Sequence, residues 1–338
     1  MNLGSGLTVM IADPGWRNAV RVPVSSVSCS WQVSTIGRFS CQIPLRIALG
    51  LGLELKGKRL RYDDPYMGPW GGVIKRNPYQ VRAGTMELSA DSFHGRLRGI
   101  RTPISSKAMT GSPGQLAMRL MTKSPSSKRL GFDSFAASSG GSVQRLDLRG
   151  DDLGETIEQL ARDNDHEFNV VLNDDGTIDW VFRRRIGDDK TGTVVLAHGL
   201  NVNDIQLSPS IDELANDILA VSDEQAWETA PKRRVIDSDS IATYEQQAVT
   251  RQYQGSSGPA SLVVRAKQEL AVESVPAIPA TVTVPGNAFV LRSIREGDTV
   301  RLWGGERYLF RVISRSIDRG GSSPTAKLTG DCTVEDAA

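Results

Sequence analysis

The sequence has little cysteine and little histidine, which argues against several classes of protein. There are three cysteines, Cys29, Cys41 and Cys332, and three histidines among 338 residues. No two cysteines form a Cys-x-x-Cys pair, and a disulfide scaffold would use a denser, even set. We therefore expect three unpaired thiols, as in a protein that is made in a reducing cytoplasm.

Long apolar runs and charge of one sign are also missing. The longest apolar stretch, residues 47–53, is far shorter than the ~20 residues that cross a bilayer, and residues 1–15 lack the pattern of a secretion signal. The 40 basic and 39 acidic residues give a net charge of +1, whereas a dedicated nucleic-acid binder usually has a strong basic excess. We expect no membrane insertion by this chain and no tight hold on DNA, although DNA could pass nearby.

Two segments of the sequence resemble ligand-binding loops, but each lacks residues that such a loop needs. Residues 52–58 are spaced like a phosphate-binding loop, but Arg59 stands where that loop needs Ser or Thr to hold magnesium. Residues 173–179 resemble the middle of a calcium loop, but its first and twelfth positions are Val171 and Phe182, which cannot bind a hard cation. A strand segment and a hairpin turn are the simpler interpretations.

The histidines do not form a catalytic or metal-binding pattern. His166 opens a zinc-protease motif, but Val170 stands at the second ligand position. His94 and His198 have no local partner, and no Gly-x-Ser-x-Gly elbow is present. We expect no catalytic residue, no metal ligand, no cofactor-binding residue and no cofactor. A buried pair of carboxylates remains open as the route to an enzyme.

Short basic runs occur twice, at Arg183–Arg185 and Lys232–Arg234. Each is typical of a solvated strand end or loop. The functional alternative is a contact with an acidic neighbouring subunit or with nucleic acid in transit.

Most of the chain has the pattern of strands joined by glycine turns. There are 33 glycines, and every odd position from Leu45 to Leu55 is apolar, which predicts a strand with one buried face and a partner at Lys58–Tyr62. Further strands are expected at Val27–Val33, Phe39–Ile43, Gly72–Lys75, Met86–Ala90, Val194–Ala197, Ile205–Leu207, Ala280–Val284, Thr299–Trp303, Tyr308–Ile313 and Ala326–Thr329.

Helical signals concentrate between residues 111 and 192. Ser112 followed by Pro and, three residues on, Gln predicts a helix start. Leu153, Ile157 and Leu160 lie on one face of a second helix. A hairpin is expected at 168–182, a mobile loop at Ser134–Ser142 and a third helix at Pro259–Leu270. Residues 111–192 are therefore expected to form an α/β unit between β-rich segments.

Several short motifs follow one another in a recognisable order. They are Ser30-Trp31, Gly37-Arg38-Phe39, Ile43-Pro44, Trp70-Gly71-Gly72-Val73-Ile74, Leu88-Ser89-Ala90-Asp91, Leu97-Arg98-Gly99-Ile100-Arg101, the helix at 152–162 with Asp175-Gly176-Thr177-Ile178-Asp179-Trp180, and Glu296-Gly297-Asp298-Thr299-Val300. Together they resemble the tail hub proteins of long-tailed bacteriophages, the group similar to the central baseplate hub of contractile-tailed phages. The resemblance spans nearly the whole chain, and the order of the motifs carries it.

The resemblance implies a mainly β fold with tail-tube-like β-barrel domains and an inserted small α/β domain. The expected domains are a first tube-like β-barrel at 1–110, the inserted α/β domain at 111–192 and a second tube-like β domain at 193–338. Some relatives carry a C-terminal peptidase or lysin domain, and we expect none here because the chain ends soon after its last strand.

The resemblance also implies a function without catalysis. We expect a minor tail protein in the tail tip of the virion, a structural hub that links the tube to the distal tip and lines the channel for DNA. Its expected partners are two further copies in a homotrimer, and the distal tail ring, tape measure, and tip or fibre proteins. The alternatives are a hexameric distal tail ring protein, a tail-associated cell-wall hydrolase, and a glycan-binding module, which the 6% aromatic content disfavours.

Overall fold

The computed structural model describes residues 7–52, 55–105, 107–124, 131–138, 143–212, 214–222, 227–253, 258–321 and 323–335. By its contacts the chain divides into two compact units. The larger comprises the chain up to Ile205, Thr281–Gly330 and the residues from Val334 on, and the smaller comprises Gln206–Ala280 with Asp331–Thr333.

The first half of the main sheet consists of eight strands with one short helix among them. They are β1 (Thr8–Asp13), β2 (Arg17–Pro23), β3 (Ser26–Gln32), β4 (Arg38–Pro44), α1 (Leu45–Gly50), β5 (Arg59–Asp64), β6 (Gly68–Arg76), β7 (Tyr79–Gln80) and β8 (Thr85–Ser92). Every second residue of β4 and of most of β8 is buried, as expected for strands that cover a core with one face. A 3-10 turn, Phe93–Arg96, follows β8.

The next segment, which we call the insert, mixes strands and helices. Its elements are β9 (Met109–Gly111), α2 (Pro113–Lys123), β10 (Ser134–Ala137), β11 (Gln144–Leu146), α3 (Leu153–Arg162), β12 (Glu167–Leu172) and β13 (Ile178–Arg183). The helix start predicted at Ser112 is confirmed. Ser112 and Gln115 form a reciprocal capping box at α2, and the Asp152 side chain accepts from Glu155 N at α3.

The insert has its own core beneath a three-stranded sheet in the order β10-β13-β12. As predicted, Leu153, Ile157 and Leu160 are buried on one face of α3. They belong to one cluster with residues of the β12–β13 hairpin, Phe168, Trp180 and Phe182. The insert is therefore held together by apolar contacts of its own.

The remaining elements follow the insert. They are β14 (Val195–Ala197), β15 (Asp204–Leu207), β16 (Asp217–Ser222), β17 (Lys232–Ile236), α4 (Ser238–Tyr244), β18 (Ala248–Tyr253), α5 (Pro259–Glu273), β19 (Ile278–Pro285), β20 (Thr299–Trp303), β21 (Arg307–Asp318) and β22 (Thr325–Val334). A 3-10 turn, Phe289–Ser293, precedes β20. The helix expected at Pro259–Leu270 is confirmed as α5.

Strands from both ends of the chain share one 14-stranded sheet. Its main path runs β15-β19-β22-β21-β3-β4-β8-β6-β5-β1-β2, and β7, β14 and β20 pair off this path. We call β1–β8 the first half and β14, β15 and β19–β22 the second half. The mainly β fold with an α/β insert is thus confirmed.

The smaller unit is a three-stranded sheet in the order β17-β16-β18, packed against α5. Its core contains Ile218, Ala220, Leu262, Ala266 and Leu270. The sequence patterns predicted α5 but neither this sheet nor α4. None of the described helices combines the length and the apolar character of a bilayer span.

The strand predicted at Leu45–Leu55 is wrong. Pro44 ends β4, and the chain then turns into α1, with Leu51 N donating to Ile47 O. Ala48 is buried and Leu49 is 59% exposed, so the alternating leucines do not share one buried face. The predicted partner does exist as β5, but it pairs with β1 and β6 instead.

The mobile loop predicted at Ser134–Ser142 is also wrong in its first part. Residues 134–137 form β10, which pairs in parallel with β13 because the chain from α2 returns along the edge of the hairpin. Residues 139–142 lie outside the described residues. The three-part domain division remains a prediction, since the insert has its own sheet and core and also lies within the larger contact unit.

Truncation of the α3 face tests the core of the insert. We expect Leu160→Ala to lower the free energy of unfolding by about 2–5 kcal/mol, because it removes buried methyl groups and leaves a cavity. Chemical denaturation followed by tryptophan fluorescence measures this loss. Gln159→Ala, on the same helix and exposed, is the control. Equal stability of the two variants would contradict the packing described.

Candidate assembly junction

The two halves of the main sheet meet where β3 pairs with β21. The antiparallel register runs from Ser28 opposite Asp318 to Gln32 opposite Ser314. Among the described strands, this pairing is the only link between the halves on the sheet path. The side chains around it form a group that we call the junction. Its members are Trp31, Asp64, Trp70, Glu296, Arg315 and Arg319.

A buried arginine binds the β21 side of the junction to the loop before β20. The Arg315 side chain is 1% exposed, and its Nη2 and Nε donate to Glu296 Oε2 at 2.7 and 3.0 Å. Its Nη1 donates to Ile294 O at 2.8 Å, and its guanidinium lies 5.3 Å from the Trp31 ring centre. Burial alone would raise the pKa of Glu296, but Arg315, a backbone hydrogen bond and the Asn169 amide together outweigh burial and lower it.

A second buried ion pair joins Arg319, the residue after β21, to Asp64 at the end of β5. Arg319 donates to both carboxylate oxygens of Asp64, whose side chain is 0% exposed. Tyr66 N and Met67 N each donate to Asp64 Oδ1 at 2.9 Å. Burial would raise the pKa of Asp64, but these hydrogen bonds outweigh it and hold the pKa below its usual value. Tyr62 also donates to Asp64, at 3.0 Å.

Two tryptophans fasten β3 to β6. Trp31 Nε1 donates to Pro69 O at 3.0 Å, and Trp70 Nε1 donates in return to Ser30 O at 2.9 Å. The Trp70 ring lies 4.9 Å from Phe39. Buried indoles need acceptors for their N–H groups, and here each acceptor is a backbone carbonyl of the partner segment. The tryptophans of the quoted motifs therefore have a structural role.

The insert is tied to the same place. Asn169 Nδ2 donates to Glu296 Oε1 at 3.2 Å, and Arg311 Nη2 donates to Glu167 Oε2 at 2.7 Å. Ser34 N donates to Phe168 O at 2.9 Å. Strands β3, β12 and β21 and the loop at 296 thus form one continuous hydrogen-bonded group.

The cavity at the junction is too small for a substrate. It has a volume of about 40 Å³ and is lined by residues that include Trp31, His94, Asn169 and Glu296. Ligand pockets usually measure about 300–1,000 Å³, so this one has room for a few waters. Within the described ranges, no group of three or more His, Cys, Asp or Glu residues could hold a metal ion.

His94 gives the junction a pH dependence. Its Nε2 accepts from Val170 N at 3.2 Å, and burial lowers its pKa to about 4. An unfolded histidine takes up a proton below about pH 6.5, while the folded one resists until about pH 4. The unfolded state thus binds more protons between these values, and stability falls as the pH falls through this window.

We therefore expect the unfolding free energy of the wild type to decrease from pH 7 to pH 4.5. The carboxylates Asp64 and Glu296, with their lowered pKa values, act in the same direction at lower pH. His94→Gln should show a smaller decrease between pH 6.5 and 4.5, because glutamine keeps an acceptor and does not titrate. Parallel curves for both proteins, measured by denaturation at each pH, would contradict the assignment.

His166 and the turn that resembles a calcium loop at residues 173–179 contact other residues of this chain. His166 Nδ1 lies 2.7 Å from Asn164 O, and its ring stacks on Phe182. The turn after Asn173 is an ordinary hairpin turn, whose Asp174 carbonyl accepts from Arg61 at 2.9 Å. All three cysteines are buried, and none of them is paired in a disulfide.

The two basic runs are partly neutralised within the chain. Arg184 lies 3.4 Å from Asp165, and Arg185 donates to the Thr299 hydroxyl. Arg234 forms a two-pronged ion pair with Asp217, with contacts of 2.7 and 2.6 Å. Lys232 lies over the Trp227 ring at 4.4 Å. This arrangement does not favour a dedicated nucleic-acid site.

Sequence reasoning missed the junction pairs. Glu296 belongs to a quoted motif, but no sequence pattern pointed to Asp64, Arg315 or Arg319. Asp64 and Arg319 are 255 positions apart. Lone charged residues within apolar strand patterns were the available signal, since such residues are buried only when paired.

Some surfaces remain open for partners. Residues Arg17–Arg21 of β2 are exposed on both faces, and in the described part of the chain β2 pairs only with β1. Several large apolar side chains are more than 70% exposed: Val81, Ile104, Val143, Leu200 and Phe289. An unpaired strand edge is a ready template for pairing with another chain.

No family model and no curated protein matches the chain. Solved structures match nearly all of it. A tail protein from Neisseria meningitidis MC58 has 16% identity and a TM-score of 0.67, with 98% of this chain and 97% of that chain covered. The 43 kDa tail protein of prophage MuSo2 from Shewanella oneidensis has 13% identity and a TM-score of 0.66, with 96% and 98% covered.

A third similar structure is the E. coli c3393 protein, a type VI secretion component with structural similarity to the T4 bacteriophage tail proteins gp27 and gp5. Its identity is 10% and its TM-score 0.57, with 98% of this chain and 76% of that chain covered. At these identities the likeness shows the fold, which is that of phage tail proteins.

Proposed function

We propose that this chain is a structural, non-enzymatic hub of a phage tail tip that acts as a homotrimer. One observation carries the proposal. The two halves of the main sheet are hydrogen-bonded into a single sheet and joined by the buried ion pair of Arg319 with Asp64. Each chain thus presents two β segments in a fixed relation, and three chains present six.

A subunit with two β segments suits the change from the six-fold tube to the three-fold tip. A tail tube is usually six-fold and a tail tip three-fold, so a subunit with two wall segments can join them. The exposed strand β2 offers an edge for pairing with a neighbouring copy, which would remove a free edge from the ring. The similarity of the fold to phage tail proteins, and to a type VI component that resembles gp27 and gp5, supports the same role.

The proposed partners and location follow from this role. The hub would sit in the tail tip of the virion, between the distal tail ring and the tip or fibre proteins, with the tape measure protein nearby. It would be made in the cytoplasm of the bacterial host. The net charge of +1 suits a channel wall along which DNA slides without being held.

Native mass spectrometry of the purified chain tests the proposal. We expect a species of three copies, each of 36.7 kDa. Six copies would support a distal tail ring protein instead. A monomer at every concentration, or cleavage of peptidoglycan by the purified chain, would overturn the structural hub.

A further inference from the structure

One face of the main sheet continues from the first half to the second across the β3–β21 pairing. In β4, and over most of β3 and β8, every second residue is buried, so the residues between them share the opposite face. The same alternation holds in Ser314–Asp318 of β21 and Thr325–Gly330 of β22. We call the side chains on the non-core side of these five strand segments the hydroxyl face.

Short, uncharged polar side chains make up most of the hydroxyl face. A row of directly opposed residues crosses four strands, from Asp318 through Ser28 and Ser40 to Ser89. The hydroxyl oxygens of Ser314 and Thr329 lie 2.5 Å apart, which continues the face from β21 to β22. Its other uncharged members include Ser26, Ser30, Gln32, Gln42, Ser316 and Thr325.

The charged members of the hydroxyl face nearly balance, with a slight acidic excess. The cations are Arg38 and Lys327, and the anions are Glu87, Asp91 and Asp318. A protein holds duplex DNA mainly by neutralising phosphates with lysine and arginine. This face therefore offers DNA almost no charge-based attraction, although its hydroxyl groups can exchange hydrogen bonds with water and phosphate.

The hydroxyl face also differs from surfaces that fit protein partners. Exposed apolar side chains mark protein contacts, and on the first half they lie at α1 and around β7, where Leu49, Tyr79 and Val81 are 59%, 51% and 74% exposed. Among the residues that the structure describes, no large apolar side chain is exposed on the hydroxyl face. The other side of the same strands is buried in the core of the chain. Of the two sides of the sheet, the hydroxyl face is thus the one that can border an open channel.

We propose that the hydroxyl face is the channel wall of the assembled hub, and that its partner is duplex DNA, which slides past it without being held. The inference rests on the proposed trimer and goes beyond it, because it assigns the wall to a particular face of the sheet. Since this face crosses the junction, both halves of each chain contribute to one continuous wall. Three chains then surround the DNA with short, neutral side chains.

Thiol labelling of the purified trimer tests which face borders the channel. The native cysteines are buried, so Ser28→Cys places a single exposed thiol on the hydroxyl face, and Val81→Cys places one on an exposed turn elsewhere. A small maleimide should label both variants. A maleimide attached to a globular protein that is too wide for the channel should label Val81→Cys and leave Ser28→Cys unlabelled. Equal labelling of both trimers by the wide reagent would overturn the proposal.

A change of charge tests the sliding of DNA. Gln42→Arg combined with Glu87→Gln makes the hydroxyl face more positive at two exposed positions. Particles that carry this variant should release their DNA at least about tenfold more slowly at low salt, and added salt should restore the rate. Gln80→Arg combined with Ala83→Arg makes the same change of charge at exposed positions of β7 and the following turn. This control should release DNA as the wild type does, and equal rates in all three would contradict the proposal.

The failure of this inference can be told apart from the failure of the proposed function. A wild type that is monomeric by native mass spectrometry refutes the trimer itself. A wild-type trimer whose Ser28→Cys variant reacts with the wide reagent refutes only the assignment of the face. If the charge variant does not assemble into particles, the labelling result decides.

Discussion

An Arg319→Met variant is expected to lose about 3–5 kcal/mol of unfolding free energy, because it leaves the Asp64 carboxylate buried without its cation. The side chain of Asp64 is 0% exposed, so water cannot replace the guanidinium. Hydrogen bonds from Tyr62, Tyr66 and Met67 remain, but they supply no charge. Chemical denaturation at pH 7 measures the loss.

A second substitution and a control make this prediction specific. Adding Asp64→Asn to Arg319→Met should recover part of the stability, because no unpaired charge then remains. Arg184→Met breaks the exposed pair with Asp165 and should cost less than about 1 kcal/mol. If Arg319→Met costs no more than Arg184→Met, the junction does not hold the two halves as described.

The second large effect is expected at Gly187, where the chain leaves the insert for the second half of the sheet. Gly187 has a φ of +90°, and a Cβ there would collide with the backbone of Gly297 and Asp298. Asp188 N donates to Asp298 Oδ1 at 2.9 Å, so this close approach positions the turn before β20. Gly187→Ala should cost about 2–5 kcal/mol, from the left-handed backbone and the steric clash together.

Gly192→Ala is the matched control for this prediction. Gly192 lies five residues further along the chain. A Cβ added there would meet no atom within 4 Å, and its φ is not positive. We expect its unfolding free energy to stay within about 0.5 kcal/mol of the wild type. Equal destabilisation by the two alanines would mean that the contact of residues 186–188 with 297–298 does not matter for the fold.

The sequence predicted the elements that have local signals. The start of α2 could be predicted because Ser112 and Gln115 form a capping box within four residues. The β12–β13 hairpin could be predicted because its turn and its flanking apolar residues are adjacent in sequence. Helix α5 followed from apolar residues four apart. Each of these depends on contacts that are near in sequence.

Other parts could not be predicted for physical reasons. Strand β2 is exposed on both faces, so it shows no alternation. Residues 45–50 alternate like a strand, but Pro44 ends the sheet pairing and α1 forms instead. The junction pairs, such as Arg319 with Asp64, join residues far apart in sequence, and only the folded sheet brings them together. The short apolar run of β16 was a signal that could have been used.

The symmetry of the ring in the assembled particle distinguishes a trimeric hub from a hexameric ring protein. Electron cryo-microscopy of the tail tip, reconstructed without imposed symmetry, counts the copies of this chain at their level. We expect three copies, with the two sheet halves of each chain occupying six similar positions around the channel. Six copies in one ring, each contributing a single wall position, would contradict it.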